Sequence, residues 1–386
     1  MKAQSVYIHI PFCQQICHYC DFTKFFYDEK QANDYIEALS QEIKTHVQGT
    51  HNQVHTIFIG GGTPTALNME QLRSLLQLID TKFDVAGCSE FTIEANPGDF
   101  DEEKIKLLKH FGVNRISLGV QVFDDAMLEE LGRLHKVTDV YRTVDRLQQH
   151  GFDNISLDLI YALPNQTVEH FRRTLDEAVT FGLPHYSAYA LQIEPKTVFH
   201  QRYKKGKLHR PPEEEEVQMY TILKDTMHKN GLAQYEISNF AKPGFESQHN
   251  LVYWKNDHYY GFGAGAHGYL PGKRTGNIRP LPAYVKKAME DGTPVLHTEE
   301  IGLREMIEEE MFLGLRTMAG VNAEQFTRKY GISYDAIYGE AIAFLSKKGW
   351  LRQSGENLQL TNQGMLFGNE VFAQFLLEEE DLKLVR

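Results

Sequence analysis

The sequence lacks the features that mark several large classes of protein. It has no apolar run near the roughly 18 residues of a membrane helix, no charged and then apolar leader, and no low-complexity tract. Only four of its 386 residues are cysteine, and three of these are clustered, so they do not form a disulfide framework. The formal net charge of -12 argues against a nucleic-acid partner, because such affinity depends on cationic contacts with phosphate. We therefore expect a cytoplasmic protein with no transmembrane segment, a property compatible with peripheral contact at a membrane.

The three clustered cysteines lie within eight residues near the start of the chain. Cys13, Cys17 and Cys20 are separated by three and by two residues, and they follow an apolar stretch. Thiolates at this spacing can converge on one metal site, and soft sulfur ligands select iron–sulfur clusters, zinc or copper(I). A structural zinc site would need a fourth ligand, for which His9 or His18 is available. A four-iron cluster held by three cysteines would instead leave one iron open for a small molecule.

Six predicted strands alternate with predicted helices along the first half of the chain. The strands are expected at residues 5–10, 56–59, 90–95, 113–120, 154–161 and 185–191. Such alternation implies parallel strands with crossover helices, and six units form a sheet that curls into an incomplete barrel. After about residue 300 the pattern becomes mainly helical. We therefore predict an α/β fold with a partial barrel over residues 1–235, a connecting segment over 236–299 and a smaller, mainly helical, winged-helix-like domain over 300–386.

Polar and glycine-rich features occur near the ends of these predicted strands. A glycine run at 60–64 (GGGTP) ends the second strand, and Glu94 lies near the end of the third. Gln121 follows the fourth strand, and Asp158 lies inside the fifth. Each feature alone could be structural, as a tight turn or an ion pair. Because ligands of parallel α/β folds bind at the carboxyl ends of strands, we expect these residues to share one rim with the cysteine loop.

Together these motifs resemble the radical S-adenosylmethionine (SAM) family. Its signature is the spacing CxxxCxxC with an aromatic residue before the last cysteine, and the stretch YIHIPFC at 7–13 resembles the branch of oxygen-independent coproporphyrinogen III oxidase and the HemW-type heme chaperones. The resemblance implies a partial (β/α)6 radical SAM barrel and a [4Fe–4S] cluster held by Cys13, Cys17 and Cys20, whose open iron chelates SAM. The residues that match the family's SAM-binding positions are Tyr7, Tyr19, Gly61, Gly62, Thr63, Glu94, Gln121, Arg133 and Asp158.

Two further features separate the branches of this family. The oxidase has a fourth cysteine two residues after the third and a long extension before the cluster, whereas here Phe22 occupies that position and Cys13 lies close to the first residue. The motif HNxxYW at 249–254 resembles the HemW-type branch, and it makes His249 the candidate ligand for heme iron.

The resemblance therefore implies a heme chaperone that binds a [4Fe–4S] cluster, SAM and heme, and that delivers heme to heme-dependent respiratory proteins. One alternative is the oxidase itself, which decarboxylates two propionates of coproporphyrinogen III. A second alternative is a radical SAM enzyme that acts on another substrate. The sequence determines neither the heme recipient, nor the oligomeric state, nor whether SAM is cleaved.

Overall fold

The computed structural model describes residues 3–377. Nine of its seventeen strands form one central sheet. The strands are β1 (Ser5–Ile10), β2 (Phe12–Cys13), β3 (Phe25–Phe26), β4 (Thr56–Gly61), β5 (Glu90–Ala95), β6 (Arg115–Gln121), β7 (Asn154–Tyr161), β8 (His185–Ala190), β9 (Ala233–Glu236), β10 (Asn239–Ala241), β11 (Tyr260–Phe262), β12 (His267–Leu270), β13 (Lys273–Asn277), β14 (Val295–Glu300), β15 (Val321–Asn322), β16 (Leu351–Ser354) and β17 (Asn357–Leu360). The helices are α1 (Glu29–His46), α2 (Met69–Lys82), α3 (Glu102–His110), α4 (Asp125–Glu130), α5 (Val137–Gln149), α6 (Val168–Thr180), α7 (Val198–Lys204), α8 (Glu213–Lys229), α9 (Gln248–Trp254), α10 (Leu281–Asp291), α11 (Leu303–Gly314), α12 (Ala323–Tyr330), α13 (Tyr334–Lys347), α14 (Asn362–Leu366) and α15 (Gly368–Ala373).

The six predicted strands are neighbours at the centre of this sheet. The sheet order is β11-β1-β4-β5-β6-β7-β8-β10-β9, and the strands β1, β4, β5, β6, β7 and β8 run parallel. Most of their residues are buried, as expected for a parallel sheet whose faces are covered by crossover helices. The prediction of six strand–helix units in a partial barrel is confirmed. The fourth strand begins at Arg115, two residues later than predicted.

Local sequence signals explain why the crossover helices begin where they do. At the start of α2 the Asn68 side chain accepts a hydrogen bond from the Gln71 N–H at 2.9 Å, and the Gln71 side chain accepts one from the Asn68 N–H at 3.0 Å. This reciprocal capping box satisfies two N–H groups that the first turn leaves free. The helix then buries Leu72, Leu75 and Leu76 against the sheet.

Residues 236–299, which were predicted as a connection, extend both sides of the central sheet. β10 pairs antiparallel with β8, and β11 pairs parallel with β1. The carboxylate of Glu42 on α1 is buried against this segment. It accepts hydrogen bonds from Tyr284 Oη at 2.5 Å, Asn277 Nδ2 at 2.6 Å and the Gly263 N–H at 2.9 Å. These contacts join the segment to the first helix of the barrel.

The C-terminal part has its own hydrophobic core and is mainly helical, as predicted. Helices α11, α12 and α13 pack with a three-stranded sheet of order β15-β17-β16, and the core includes Phe326, Leu345 and Leu358. Three helices followed by a β-hairpin are the arrangement of a winged-helix module. None of the helices in residues 3–377 is long and apolar enough to cross a membrane.

Candidate functional site

A cavity of about 460 Å³ opens at the carboxyl ends of the parallel strands. It is lined by eleven of the thirteen residues singled out from the sequence, namely Cys13, Cys17, Tyr19, Cys20, Gly61, Gly62, Thr63, Glu94, Gln121, Arg133 and Asp158. Tyr7 and His249 do not line it. The structure therefore brings the cysteine loop, the glycine run and the polar strand ends to one rim.

The cysteine loop leaves β1 and is held beside the mouth of this cavity. The short strand β2 pairs with β3 after the loop, so both ends of the loop are fixed. Cys13 is buried, Cys17 and Cys20 are partly exposed, and none of the three forms a disulfide. Burial raises the pKa of the Cys13 thiol to about 11, so a thiolate there requires a nearby cation.

The chemistry of this loop fits an iron–sulfur cluster. Three free thiols line one cavity, and the Arg133 guanidinium donates to Cys17 Sγ at 3.5 Å. Thiolates are the usual ligands of iron–sulfur clusters. No three His, Cys, Asp or Glu side chains in residues 3–377 surround a single metal position, and a four-iron cluster does not require this, because each thiolate binds a different iron.

The glycine run packs closely between the cysteine loop and β1. Gly61 has φ +117°, which favours glycine, and a Cβ there would lie 2.5 Å from the His9 ring. A Cβ on Gly62 would lie 2.9 Å from the Phe12 carbonyl oxygen and 3.0 Å from Cys13 Sγ. The absence of side chains at these two positions allows the backbone to reach the cysteine loop.

Two carboxylates line the interior of the cavity. Glu94 Oε2 accepts a hydrogen bond from the Gly61 N–H at 2.9 Å, and burial raises the pKa of Glu94 to about 7. Asp158 accepts hydrogen bonds from Ser117 Oγ at 2.8 Å and Ser156 Oγ at 3.2 Å, and burial raises its pKa as well. The cavity can therefore bind cationic or hydrogen-bond-donating groups of a ligand.

The opposite wall carries Arg133 and Gln121. Arg133 Nη2 donates to Asn96 Oδ1 at 2.5 Å and to the Gly119 carbonyl oxygen at 2.5 Å, which fixes the guanidinium at the rim. Gln121 adopts φ +70° at an irregularity between β6 and β7. Such backbone conformations cost energy outside glycine and cluster at functional sites. Gln121 lines the cavity from this position.

The two candidate tyrosines occupy different places. Tyr19 lines the cavity, with its ring centroid 6.5 Å from that of Phe199. Tyr7 hydrogen-bonds to His9 Nδ1 at 2.9 Å and stacks on Phe58 at 6.1 Å between ring centroids. Because Phe58 lines the cavity, Tyr7 forms a layer behind the cavity wall.

His249 lies in the protein core. Its Nδ1 hydrogen-bonds to Thr56 Oγ1 at 2.8 Å, its Nε2 to Tyr253 Oη at 2.8 Å, and its ring stacks on Phe58. Burial lowers the pKa of His249 to about 3, so the ring is neutral at physiological pH. Iron ligation by His249, as expected from the sequence, would break one of these hydrogen bonds.

Sequence reasoning missed two buried charged residues. Glu90 accepts hydrogen bonds from the Gln248 N–H at 2.8 Å and the His249 N–H at 3.0 Å, so it caps the N-terminus of α9. Arg115 lines the cavity, is only 2% exposed, and has no carboxylate partner within 4.0 Å among the described residues. Its Nη2 contacts His185 Nδ1 at 3.3 Å. Glu90 and Arg115 are each the first residue of a mostly apolar strand, and this position in the sequence could have identified both as buried charges.

The sequence and the fold of this chain are similar to those of several known proteins. The chain matches the model of the Radical SAM superfamily over residues 7–178 and that of the HemN C-terminal domain over residues 301–367. It is 49% identical to the heme chaperone HemW of Bacillus subtilis, covering 97% of this chain and 100% of that protein. It is 32% identical to the heme chaperone HemW of Escherichia coli K12, covering 97% and 98%. Coproporphyrinogen III oxidase (HemN) from Escherichia coli has the same fold, with a TM-score of 0.84 at 22% identity over 97% of this chain and 90% of that one.

Proposed function

The chain belongs to the HemW heme chaperone family, and on that premise we propose that it binds a [4Fe–4S] cluster, SAM and heme and delivers heme to heme-dependent respiratory proteins. The observation that supports this proposal most is the cavity that collects three free cysteines, the glycine run and two buried carboxylates. We further propose a cytoplasmic location and heme-accepting protein partners, with no nucleic-acid partner for a chain with 52 acidic and 40 basic residues.

We assign the three iron ligands to Cys13, Cys17 and Cys20. When bound, the cluster supplies the open iron at which SAM is held and any radical chemistry that follows. The loop contributes the thiolates, and Arg133 offsets their negative charge through its contact with Cys17. Cys88 lies apart, with its thiol hydrogen-bonded to the His55 carbonyl at 3.3 Å, and takes no part in the site.

The remaining rim residues are assigned to SAM. Glycine run residues Gly61, Gly62 and Thr63 present backbone to the amino-acid end of the ligand, where Glu94 offers a carboxylate to an amino group. Arg133 suits a carboxylate, because its planar guanidinium can donate two parallel hydrogen bonds. The other residues assigned to SAM are Gln121, Asp158, Tyr19 and, from the layer behind, Tyr7.

We retain a division into residues 1–235, 236–299 and 300–386. The hydrophobic core of the last part is distinct from that of the barrel, which supports the second boundary. The middle part contributes strands to the central sheet, so we expect it to unfold together with the barrel.

One anaerobic experiment tests the proposal. The cluster is reconstituted in the wild-type chain, in Cys13→Ser, Cys17→Ser and Cys20→Ser, and in Cys88→Ser as a matched control. We expect loss of the cluster absorption in the first three variants and wild-type spectra in Cys88→Ser. Heme and coproporphyrinogen III are then offered in parallel. Stoichiometric heme binding without turnover of coproporphyrinogen supports the chaperone, whereas formation of protoporphyrinogen would refute it in favour of the oxidase.

A further inference from the structure

A second cavity lies at the opposite end of the barrel and has no part in the site described above. Its volume is about 830 Å³, and it opens at the amino-terminal ends of β1, β4 and β11. The buried side chains of Val47, Val54 and Phe83 line it on the barrel side. Most of the other lining residues are polar. Ligand sites typically have volumes of about 300–1,000 Å³, so this cavity is large enough for a large planar molecule.

Helix α9, which carries the whole HNxxYW motif, separates the two cavities. Asn250 lines the cavity of the cysteine loop, whereas Gln248, Val252 and Lys255 line the second cavity. The helix is anchored at its N-terminus by Glu90 and through its interior by His249. The buried histidine of the motif therefore positions a helix whose other face borders the second cavity.

We propose that the second cavity binds heme and that His55 and His258 supply the ligands of its iron. This inference rests on the proposed function. Both histidines line the cavity, and no residue between 3 and 377 forms a hydrogen bond with either ring. Neutral imidazole with a free nitrogen is a common ligand of heme iron. His249 differs, because both of its ring nitrogens are engaged.

The positions of the two histidines suit a ligand that lies across the strand ends. His55 immediately precedes β4, and His258 lies two residues before β11. These strands flank β1 on its two sides, so a spacing of about 4.8 Å between neighbouring strands puts the two strand ends roughly 10 Å apart. Lys255 lies at the same cavity and can pair with a heme propionate.

Size also distinguishes the two cavities. The cavity of the cysteine loop is smaller, at about 460 Å³, and holds the buried carboxylates of Glu94 and Asp158. The cations Arg115 and Arg133 line the same cavity, so charge by itself does not exclude a propionate there. In the second cavity the carboxylate of Asp257 is exposed, and Lys255 lies nearby. The larger volume of the second cavity, about 830 Å³, therefore favours it as the site of heme.

The test is a titration of the full-length chain with heme. The Soret absorption is recorded during the titration, and the dissociation constant is obtained from it. His55→Ala and His258→Ala remove the proposed ligands, and His228→Ala is the matched control, because His228 is exposed in the last turn of α8. We expect the wild-type chain to bind one heme. His55→Ala and His258→Ala should each shift the Soret band and weaken the affinity about tenfold or more, whereas the control should behave like the wild type. Val252→Trp, which fills the cavity without removing a ligand, should also weaken binding.

The possible results separate this inference from the proposed function. If the wild-type chain binds heme and the His55, His258 and Val252 variants keep its spectrum and affinity, the second cavity is not the heme site, although the chaperone function stands. If the wild-type chain binds no heme, the proposed function fails and this inference fails with it. The cluster spectrum of each variant should match that of the wild type, which shows that the fold is intact.

Discussion

Replacement of Glu90 tests how the motif helix is held. The Glu90 carboxylate is 3% exposed and accepts three hydrogen bonds at the start of α9, from the Gln248 N–H at 2.8 Å, the His249 N–H at 3.0 Å and Ser247 Oγ at 3.3 Å. Because α9 has only seven residues, its own hydrogen bonds contribute little, and its position depends on such tertiary contacts.

The expected magnitude follows from these contacts. Glu90→Ala leaves two backbone N–H groups without an acceptor, at a cost of about 1–3 kcal/mol each, and removes one hydrogen bond to a hydroxyl, worth about 1 kcal/mol. We therefore expect a loss of about 5 kcal/mol in the free energy of unfolding. Glu90→Gln keeps one carbonyl oxygen as acceptor, so its loss should be about half as large.

Urea denaturation followed by circular dichroism measures these changes, with Glu37→Ala as control because Glu37 is an exposed residue of α1. Heme affinity is measured on the same samples under native conditions. It should be weaker in Glu90→Gln than in the wild type, and weaker still in Glu90→Ala. A Glu90→Ala variant within about 1 kcal/mol of the wild type would show that the capping contacts do not hold α9, and the reasoning would be refuted.

Three further predictions concern the barrel and the cysteine loop. Glu42 has a folded-state pKa of about 7 against an ordinary value of 4.5, so the folded state binds a proton more tightly. Its contribution to stability is fully present below pH 4.5 and is lost as the pH rises through 7, by about 3 kcal/mol, and Glu42→Gln should remove this dependence in denaturation curves recorded between pH 4.5 and 8. Gly61→Ala should destabilise the fold by about 2 kcal/mol, measured by urea denaturation, because φ +117° and the His9 ring leave no room for a Cβ. Arg133→Lys should weaken SAM binding about tenfold in calorimetry of the cluster-loaded protein, because lysine keeps the charge but lacks the planar fork; unchanged affinity would remove Arg133 from the SAM site.

Much of the barrel was predictable because its signals are local. Most of the parallel strands are short apolar runs followed closely by glycine or proline, and helix caps such as Asn68 lie next to the segments they begin. Strand order then followed from the alternation of strands and helices, since neighbouring units of a parallel sheet are adjacent in space. The shared rim was predictable for the same reason.

The parts that were not predictable depend on contacts between distant residues. The strands β10 and β11 are three residues long and join the sheet only because β8 and β1 offer free edges. The partners of Glu42 and Glu90 lie more than 150 residues away in the chain, so neither carboxylate could be assigned a role from its neighbours. No periodicity reports such pairings.

The sequence by itself determined the cysteine motif, the six-strand barrel and the polar rim, because spacing and hydrophobic period are properties of neighbouring residues. Only the tertiary structure decided that His249 is enclosed by Thr56 and Tyr253, and that His55 and His258 border an open cavity. Whether a histidine is buried or free depends on which distant surfaces pack against it. The motif that suggested heme thus supplies the wall of a second cavity, and histidines outside the motif line its open space.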